Sequence, residues 1–316
     1  MFRNQFTELI TKDMYKVLFE QHEQLSNVGD QLFDMGTMDG AYEKETNLIG
    51  AGKMMERPEG NPINMENALE GDPIYGKART YSAGTWFTNE QVQDAQKGAI
   101  ANILKDFAKT WSQAYFQTIE SERAKLFNYG GYTAGHSIFN NSVAGTPDPS
   151  GNFVYDLKPF FNLSGNLRSN KVGSTFYNGH ALALTADNLK TVYTRMTSQN
   201  NRDERGNLIQ IIPNVLLVPP GQKFTAIEII KNTNTSNLRS SVENITDIVE
   251  WQFLTNSSAW FLGVKGKGIK FRNRQAPVID FYQNPMDKKW YATFDSRFAF
   301  WVSDWRYWSG SNFATS

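Results

Sequence analysis

The chain has 316 residues, which is enough for one large domain or two smaller ones around a sizeable core. Lys plus Arg and Asp plus Glu both number 32, and this neutral balance argues against a dedicated nucleic-acid binder, which needs a basic surplus. The chain has no cysteine, so disulfides and thiolate metal sites are excluded and a reducing cytoplasm is favoured.

The N-terminal part predicts a helical arm. Apolar residues recur at helical spacing over residues 5–25. A turn-forming sequence ends this helix, and a Gly-rich stretch at 34–40 separates it from the rest of the chain. We therefore expect residues 1–41 to form an arm that docks elsewhere.

Residues 42–87 predict a long β-hairpin that projects from a domain. Two strand-like flanks enclose a polar middle that is rich in Gly and Pro. In the second flank Tyr75, Lys77, Arg79 and Tyr81 share one face, and neither face is continuously apolar. Such a ribbon cannot bury enough surface to stand alone, and its many glycines raise the entropy lost on ordering. We expect it to be mobile in an isolated chain.

The next segment predicts the longest helix of the protein. Thr88 and Gln91 have the spacing of a capping box. An apolar stripe that includes Trp111 follows and continues to about Phe127, just before two consecutive glycines. A helix of this length spans roughly 55–60 Å, which is more than a compact domain of this size requires, so we expect a spine across the molecule.

The C-terminal part predicts a mixed α/β region after a loop-rich stretch. Thr185 can cap a helix, and a β-branched apolar run before Pro219 predicts a buried strand. The expected elements are a helix at 186–198, a strand at 209–218, a helix at 224–231, a polar loop at 232–244 and strands from 247 to 312.

No catalytic, metal or cofactor site is expected. Residues 50–53 (Gly-Ala-Gly-Lys) lack the spacing and the following helix of a phosphate loop. The acid pairs Glu120/Glu122 and Asp203/Glu204 are interpreted as solvated charges on a helix surface and in a turn. The chain has only 3 histidines, far apart in sequence, and no apolar run approaches the roughly 18 residues of a membrane helix.

One basic cluster is a candidate contact surface. Lys270, Arg272 and Arg274 fall on one face of strand-like sequence by the period of two. Such a face could meet DNA, an acidic partner surface, or solvent as a charge-protected edge. In a neutral chain we favour a contact between copies or edge protection over DNA.

The order of these elements resembles the Hong Kong 97 capsid fold, and particularly the Mu-type head subunits of tailed bacteriophages. Three groups of short motifs carry the resemblance, which covers most of the chain. They are RGNL at 205–208 with PNVLLVPP at 213–220, WQFLT at 251–255 with AWFL at 259–262, and RFAF at 297–300 with DWR at 304–306.

This resemblance implies an α+β fold with an N-terminal arm, an extended hairpin called the E-loop, a spine helix in a peripheral P domain, and an α/β axial A domain. The implied divisions are arm 1–41, E-loop 42–87, P domain 88–180, A domain 181–284 and closing P-domain strands 285–316. In the family the E-loop lies over a neighbouring subunit. The resulting inter-subunit candidates are Lys53, Tyr75, Lys77, Arg79, Tyr81, Lys270, Arg272 and Arg274.

The resemblance implies a non-enzymatic major capsid protein that self-assembles, as hexameric and pentameric capsomers, into an icosahedral shell enclosing phage DNA. Scaffold, portal and decoration proteins are further expected partners, and DNA would lie near the inner face without specific binding. No membrane and no cofactor are implied. The expected location is the virion capsid, after assembly in the host cytoplasm.

Two other functions remain open at this point. The first is a carbohydrate-binding or carbohydrate-active protein whose sugar platform is built from Trp290, Trp301, Trp305 and Trp308. The second is another virion component, such as a tail or portal protein. Some family members join subunits through a Lys–Asn isopeptide bond. Lys53 and Lys77 are possible donors, but no acceptor Asn can be matched and no crosslink is predicted.

Overall fold

The computed structural model describes residues 12–17, 20, 27–49, 54, 56–63, 65, 69–94, 99–132, 154–156, 158–231 and 245–315. The helices are α1 (Val28–Leu32), α2 (Asn89–Asp94), α3 (Ala99–Asn128), α4 (Ala186–Ser198) and α5 (Lys223–Lys231). The strands are β1 (Asp34–Thr37), β2 (Tyr42–Ile49), β3 (Leu69–Lys77), β4 (Arg79–Phe87), β5 (Arg168–Ser169), β6 (Thr175–Phe176), β7 (Gly179–His180), β8 (Val215–Val218), β9 (Asp247–Glu250), β10 (Trp260–Gly263), β11 (Ile269–Gln283), β12 (Trp290–Val302) and β13 (Trp308–Ser311).

The predicted capping box is confirmed, but it begins the short helix α2 and not the long helix α3, which starts at Ala99. The Thr88 hydroxyl accepts from the Gln91 amide at 3.2 Å, and the Gln91 side chain accepts from the Thr88 amide at 2.9 Å. Helix α2 follows, α3 ends one residue beyond the expected Phe127, and residues 95–98 lie outside the described chain. The apolar stripe is confirmed at Trp111 but not at Ile103, which is exposed.

A four-stranded sheet packs on this helix in the order β1-β11-β12-β4. Alternate residues of β12 point to the helix, so Phe294 lies 6.1 Å from Trp111 and 5.5 Å from Tyr115 between ring centroids. The large core of the protein sits between the sheet and α3. The core extends to the outer face of the sheet at Trp301.

A five-stranded sheet, ordered β7-β13-β10-β8-β9, forms the second centre of packing. Leu217 of β8 belongs to the large core, whereas Leu216 and Val218 pack with Leu189 of α4 in a second core. Both faces of β8 are therefore covered, which explains why its sequence is continuously apolar. The expected strand at 209–218 is shorter than predicted and begins at Val215, after a proline that has no N–H to donate.

The hairpin differs from its expected bounds. Strands β2 and β3 pair with each other as a hairpin, but β4 pairs with β12 in the four-stranded sheet. The break falls at Ala78, which is buried. Residues 79–87 were expected in the projecting ribbon, and that expectation was wrong, because the inner face of β4 packs on the core through Tyr81 and Phe87.

The sheets also cut across the expected division between residues 181–284 and 285–316. Strand β11 pairs with β12 along its length, so it belongs to the sheet that covers the spine helix. Strand β13, from the closing segment, pairs with β10 in the other sheet. The assignment of residues 181–284 and 285–316 to the A and P domains stays a prediction. Strand β11 of the first range and strand β13 of the second each pair with a strand of the other range.

The N-terminal region contains one strand that the sequence did not indicate. Residues 12–17 are helical, as expected, and the rest of the predicted helix at 5–25, apart from residue 20, lies outside the described residues. The Gly-rich stretch at 34–40 was interpreted as a separator. Instead β1 within it pairs in parallel with β11, with Gly36 opposite Arg272. The polar loop at 232–244 also lies outside the described chain.

Candidate assembly surface

The base of the hairpin lies on the outer face of the four-stranded sheet. Trp301 falls on that outer face by the alternation of β12, yet its exposed fraction is 0%. Strand β3 covers it: the β4–β12 register places Arg79 opposite Phe298, and its continuation brings Gly76 to Trp301. A Cβ on Gly76 would collide with the indole ring. Glycine at this position therefore allows the hairpin to sit directly on the sheet.

One carboxylate of the hairpin bonds to two strands of the sheet. Glu45 Oε1 lies 2.6 Å from Lys270 Nζ on β11, and Glu45 Oε2 accepts from Trp301 Nε1 on β12 at 2.9 Å. Lys270 and Trp301 are directly opposed neighbours in the β11–β12 register. We call Glu45, Lys270 and Trp301 the hairpin latch.

Arg272 makes a second set of charged contacts next to the latch. Its guanidinium lies 2.9 Å from the Asp34 carboxylate and 3.8 Å from that of Glu43. A bulge between Asn273 and Gln275 interrupts the period of two, and Arg274 is exposed there. Lys270 and Arg272 thus have acidic partners within their own chain. Their use between copies, and that of Arg274, stays a prediction.

The remaining candidates divide into packed and exposed residues. Tyr75 is buried, with its ring edge-to-face to Tyr42 at 5.9 Å. Tyr81 stacks on Phe298 at 4.5 Å, and burial raises the pKa of its phenol well above the ordinary value.

Arg79 Nη1 lies 4.0 Å from the Glu122 carboxylate, so this candidate also engages its own chain. Lys77 is exposed, and Lys53 lies outside the described residues. The alternation that placed Tyr75 and Tyr81 on one face of the predicted hairpin therefore indicates, at these two residues, packing on the subunit itself.

Two exposed apolar surfaces remain at opposite ends of this region. The first, the tip surface, consists of Met54, Ile63 and Met65 between β2 and β3. The second, the aromatic row, crosses the outer face at the far end of the sheet. Its members Trp86, Tyr291 and Tyr282 are successive register partners on β4, β12 and β11.

The aromatic row is organised by its own contacts. Tyr282 and Tyr291 stack at 5.8 Å, and Lys289 Nζ lies 4.2 Å over the Trp86 ring. Tyr291 donates to the Asp287 carboxylate at 2.6 Å, which lowers the pKa of Asp287 and raises that of Tyr291. Trp86 and Tyr282 nevertheless expose about half of their surface, at 53% and 47%.

The tip surface and the aromatic row are far apart along the chain that joins them. Strands β3 and β4 are separated by the single residue Ala78, and of the two only β4 pairs with β12. At about 3.3 Å per residue, an extended run from Leu69 to Trp86 spans about 55 Å. We therefore expect the two surfaces to find partners outside their own subunit.

A buried charge network joins three parts of the chain behind this region. Glu120 is fully buried and accepts from the Gly29 amide at 3.2 Å and from Trp251 Nε1 at 2.7 Å. Arg123 lies 2.7 Å from Asp30 and 3.1 Å from Glu120. The network links the N-terminal segment and the spine helix to the loop after β9.

The interpretation of Glu120 and Glu122 as solvated acids was wrong, because both are buried. Glu204 is half-buried and also has partners in the chain: its carboxylate lies 2.5 Å from Arg306 Nη2 and accepts from the Tyr155 hydroxyl at 3.0 Å. One signal was available: Phe116, Glu120, Arg123 and Phe127 share one helix face by spacing.

The sugar platform is not present in the proposed form. Trp290, Trp301, Trp305 and Trp308 are buried, with exposed fractions of 7%, 0%, 1% and 0%. Within the described ranges, no group of three or more His, Asp or Glu side chains could hold a metal ion. Among the same residues, no helix is both long and apolar enough to cross a membrane.

Comparison with known proteins identifies a family and a fold. A family model described as phage capsid protein matches residues 72–309. A search of curated proteins finds no match. A solved structure from Microbacterium phage Oxtober96 aligns with TM-score 0.52 at 10% identity, covering 92% of each chain. A virus-like particle from Pyrococcus furiosus aligns with TM-score 0.50 at 6% identity, covering 97% of this chain and 99% of that one.

A structure described as the capsid of a native GTA particle aligns with TM-score 0.50 at 11% identity, covering 92% of each chain. These similarities confirm the α+β, Hong Kong 97-type fold that the order of elements implied.

Proposed function

Because the chain belongs to a phage capsid protein family and is a structural, major capsid protein, we propose that its copies form hexameric and pentameric capsomers that close an icosahedral shell around phage DNA. The observation that carries the proposal is the pair of exposed apolar surfaces at opposite ends of one strand run. Each brings together large apolar side chains that are exposed in the isolated subunit. Two different surfaces on one molecule favour a head-to-tail contact, which closes into rings when the rotation allows it.

The contact we propose joins the tip surface of one copy to the aromatic row of the next. Methionine adapts to irregular surfaces and makes favourable contacts with aromatic rings, so Met54 and Met65 suit a row of Trp86, Tyr282 and Tyr291. A single contact of this size is weak, but repetition around a ring and over a shell makes the assembly stable.

Electron microscopy and sedimentation of the purified protein test this proposal. Wild type should form capsomers or shells. A tip variant (Met54→Ser with Met65→Ser) and a row variant (Trp86→Ser with Tyr282→Ser) should remain folded and stay unassembled. The matched control is Val172→Ser with Leu208→Ser, which removes exposed apolar residues from another surface.

The control variant should assemble like wild type. Normal particles from the tip and row variants would contradict the proposed contact. A wild-type protein that stays monomeric under all assembly conditions would contradict the proposed function itself.

We also propose that the subunit is non-catalytic and acts in the virion capsid after assembly in the host cytoplasm. The family assignment supports this, as does the use of Glu120, Glu204 and Arg306 in buried ion pairs. Purified protein should hydrolyse neither nucleotides nor glycosides. An activity that one acid substitution abolishes would contradict the proposal. Scaffold, portal and decoration proteins, and DNA near the inner face, remain proposed partners.

A further inference from the structure

We infer that Glu45 is a positioning residue that fixes the direction in which the β2–β3 hairpin leaves the subunit. The inference rests on the proposed function, since the direction matters for assembly only if the tip must reach another copy. It concerns contacts inside one subunit, however, and can be measured before any assembly takes place.

The two-point attachment of the carboxylate is the first argument. Glu45 Oε1 contacts Lys270 at 2.6 Å and Oε2 accepts from Trp301 at 2.9 Å, on two different strands. A carboxylate held at a single point could swivel about that contact. Bonds to directly opposed residues of β11 and β12 restrain the hairpin both along and across the sheet.

The second argument is that the hairpin packs on the sheet beside the attachment. Gly76, which pairs with Glu43 across the hairpin, rests on the Trp301 indole. Without the carboxylate, that indole N–H and the Lys270 ammonium lose their partner, while the buried contacts of Ile74 and Ala78 at the base remain. Those apolar contacts hold the base on the sheet, whereas the two bonds of Glu45 are directional.

The third argument is the charge pattern. Glu43 and Glu45 lie two residues apart on one face of β2, and Lys270 and Arg272 lie two apart on one face of β11. The structure pairs Glu45 with Lys270 and Glu43 with Arg272. A slip of β2 by one residue would present Lys44 to these cations, and like charges would oppose it. This pattern of charges therefore favours one register of β2 relative to β11.

The latch is open to solvent ions. The Lys270 and Glu45 side chains are 22% and 25% exposed. Charge pairs with this exposure are screened as ionic strength rises. We therefore expect the hairpin direction to be better defined at low salt than at high salt.

Spin-label distance measurements test the inference, helped by the absence of native cysteine. Labels are placed at Thr46→Cys in β2, which lies outside the tip and faces away from the latch by strand alternation, and at the exposed Ser82→Cys in β4. The full chain is measured before assembly, after particles are removed by sedimentation. A narrow distance distribution is expected in the wild-type background, broadening in high salt.

Glu45→Gln should lose the narrow distribution and its salt response, while the melting temperature changes little. Glu56→Gln is the matched control, because it removes the same charge from an exposed hairpin position outside the latch. This control should keep the wild-type distribution. Lys270→Met, which leaves Glu45 bonded only to Trp301, should also broaden the distribution.

An unchanged distribution in Glu45→Gln would overturn the inference and leave the packing of the hairpin base on the sheet as the positioning contact. An unchanged distribution in Lys270→Met, with the variant folded, would also overturn it. Neither result bears on whether wild type assembles. Absence of wild-type particles contradicts the proposed function, whereas the distance measurement judges the latch alone.

Discussion

His180 is a buried residue, and its surroundings oppose its protonation. It is 8% exposed, its Nε2 has no hydrogen-bond partner among the described residues, and it lies beside Tyr177 and the cation Arg195. Burial first, and the Arg195 charge second, lower the pKa of His180 from 6.5 to about 4. The neutral imidazole is therefore the form that the fold accommodates.

The lowered pKa of His180 predicts an acid-sensitive component of stability. Unfolded chains take up this proton as pH falls below about 6.5, but the folded chain resists until about pH 4, so stability is lost between these values. The loss from this residue should be about 1–3 kcal/mol. Urea denaturation at pH 7 and pH 5 should show a smaller pH dependence for His180→Gln than for wild type. Equal pH dependence would show that the imidazole titrates normally.

At the residue scale, the strand face that charged residues share could be predicted from the sequence, but their partners could not. The period of two correctly grouped Lys270 with Arg272, because alternation is a local property of strands. Their partners Glu45 and Asp34 lie more than two hundred residues earlier, and no local pattern connects them. The bulge that interrupts the face before Gln275 is likewise a property of strand pairing.

At the scale of single elements, the C-terminal end of the spine helix was predicted to within one residue, whereas the single helix expected from Thr88 is described as α2 and α3, with α3 beginning at Ala99. Thr88 and Gln91 satisfy each other within one turn, so the capping box depends on nothing outside the segment. The hairpin was predicted less well. The hairpin ends at Ala78 because the following strand, β4, pairs with β12, and this pairing depends on the tertiary structure.

Substitution in the spine helix tests its buried stripe. Trp111 lies between Phe107 and Phe294, at 6.0 and 6.1 Å between ring centroids. Trp111→Ala should lower the free energy of unfolding by about 3–5 kcal/mol, because it leaves a cavity in the large core. Ile103→Ala, at an exposed position of the same helix, is the control and should cost far less. Thermal or urea denaturation distinguishes them. A similar cost for both variants would mean that the helix faces were assigned wrongly.

At the scale of the whole molecule, the base of the hairpin belongs to the folded subunit, whereas its tip is expected to act in assembly. Its base is buried through Ile74, Tyr75 and Ala78, while the tip surface is exposed. The sequence led us to expect that residues 42–87 are mobile in an isolated chain, and the burial of the base does not fit that expectation. We expect it to hold for the tip, because Met54, Ile63 and Met65 are exposed.

Truncation of the hairpin tests this separation. Replacing residues 49–69 with a short Gly-Ser linker keeps Glu45, Ile74 and Gly76 and removes the tip surface. The truncated chain should be soluble, unfold cooperatively and form no closed shells. Hydrogen exchange on the intact chain should be fast at 54–65 in monomers and slow in particles, and slow at 74–87 in both. Closed shells from the truncated chain would show that the tip is dispensable.

The pairing of β1 with β11 has a consequence for the order of events during synthesis. Asp34 and Arg272 are in contact although 238 residues separate them, and the sheet lacks its first strand until both ends are available. The residues that hold the hairpin, Lys270 and Trp301, also emerge late from the ribosome. A growing chain therefore carries a hairpin without a fixed direction until translation is nearly complete. We therefore expect newly made chains on a polysome to become competent for association only when translation is nearly complete, because high contact order delays the competent state.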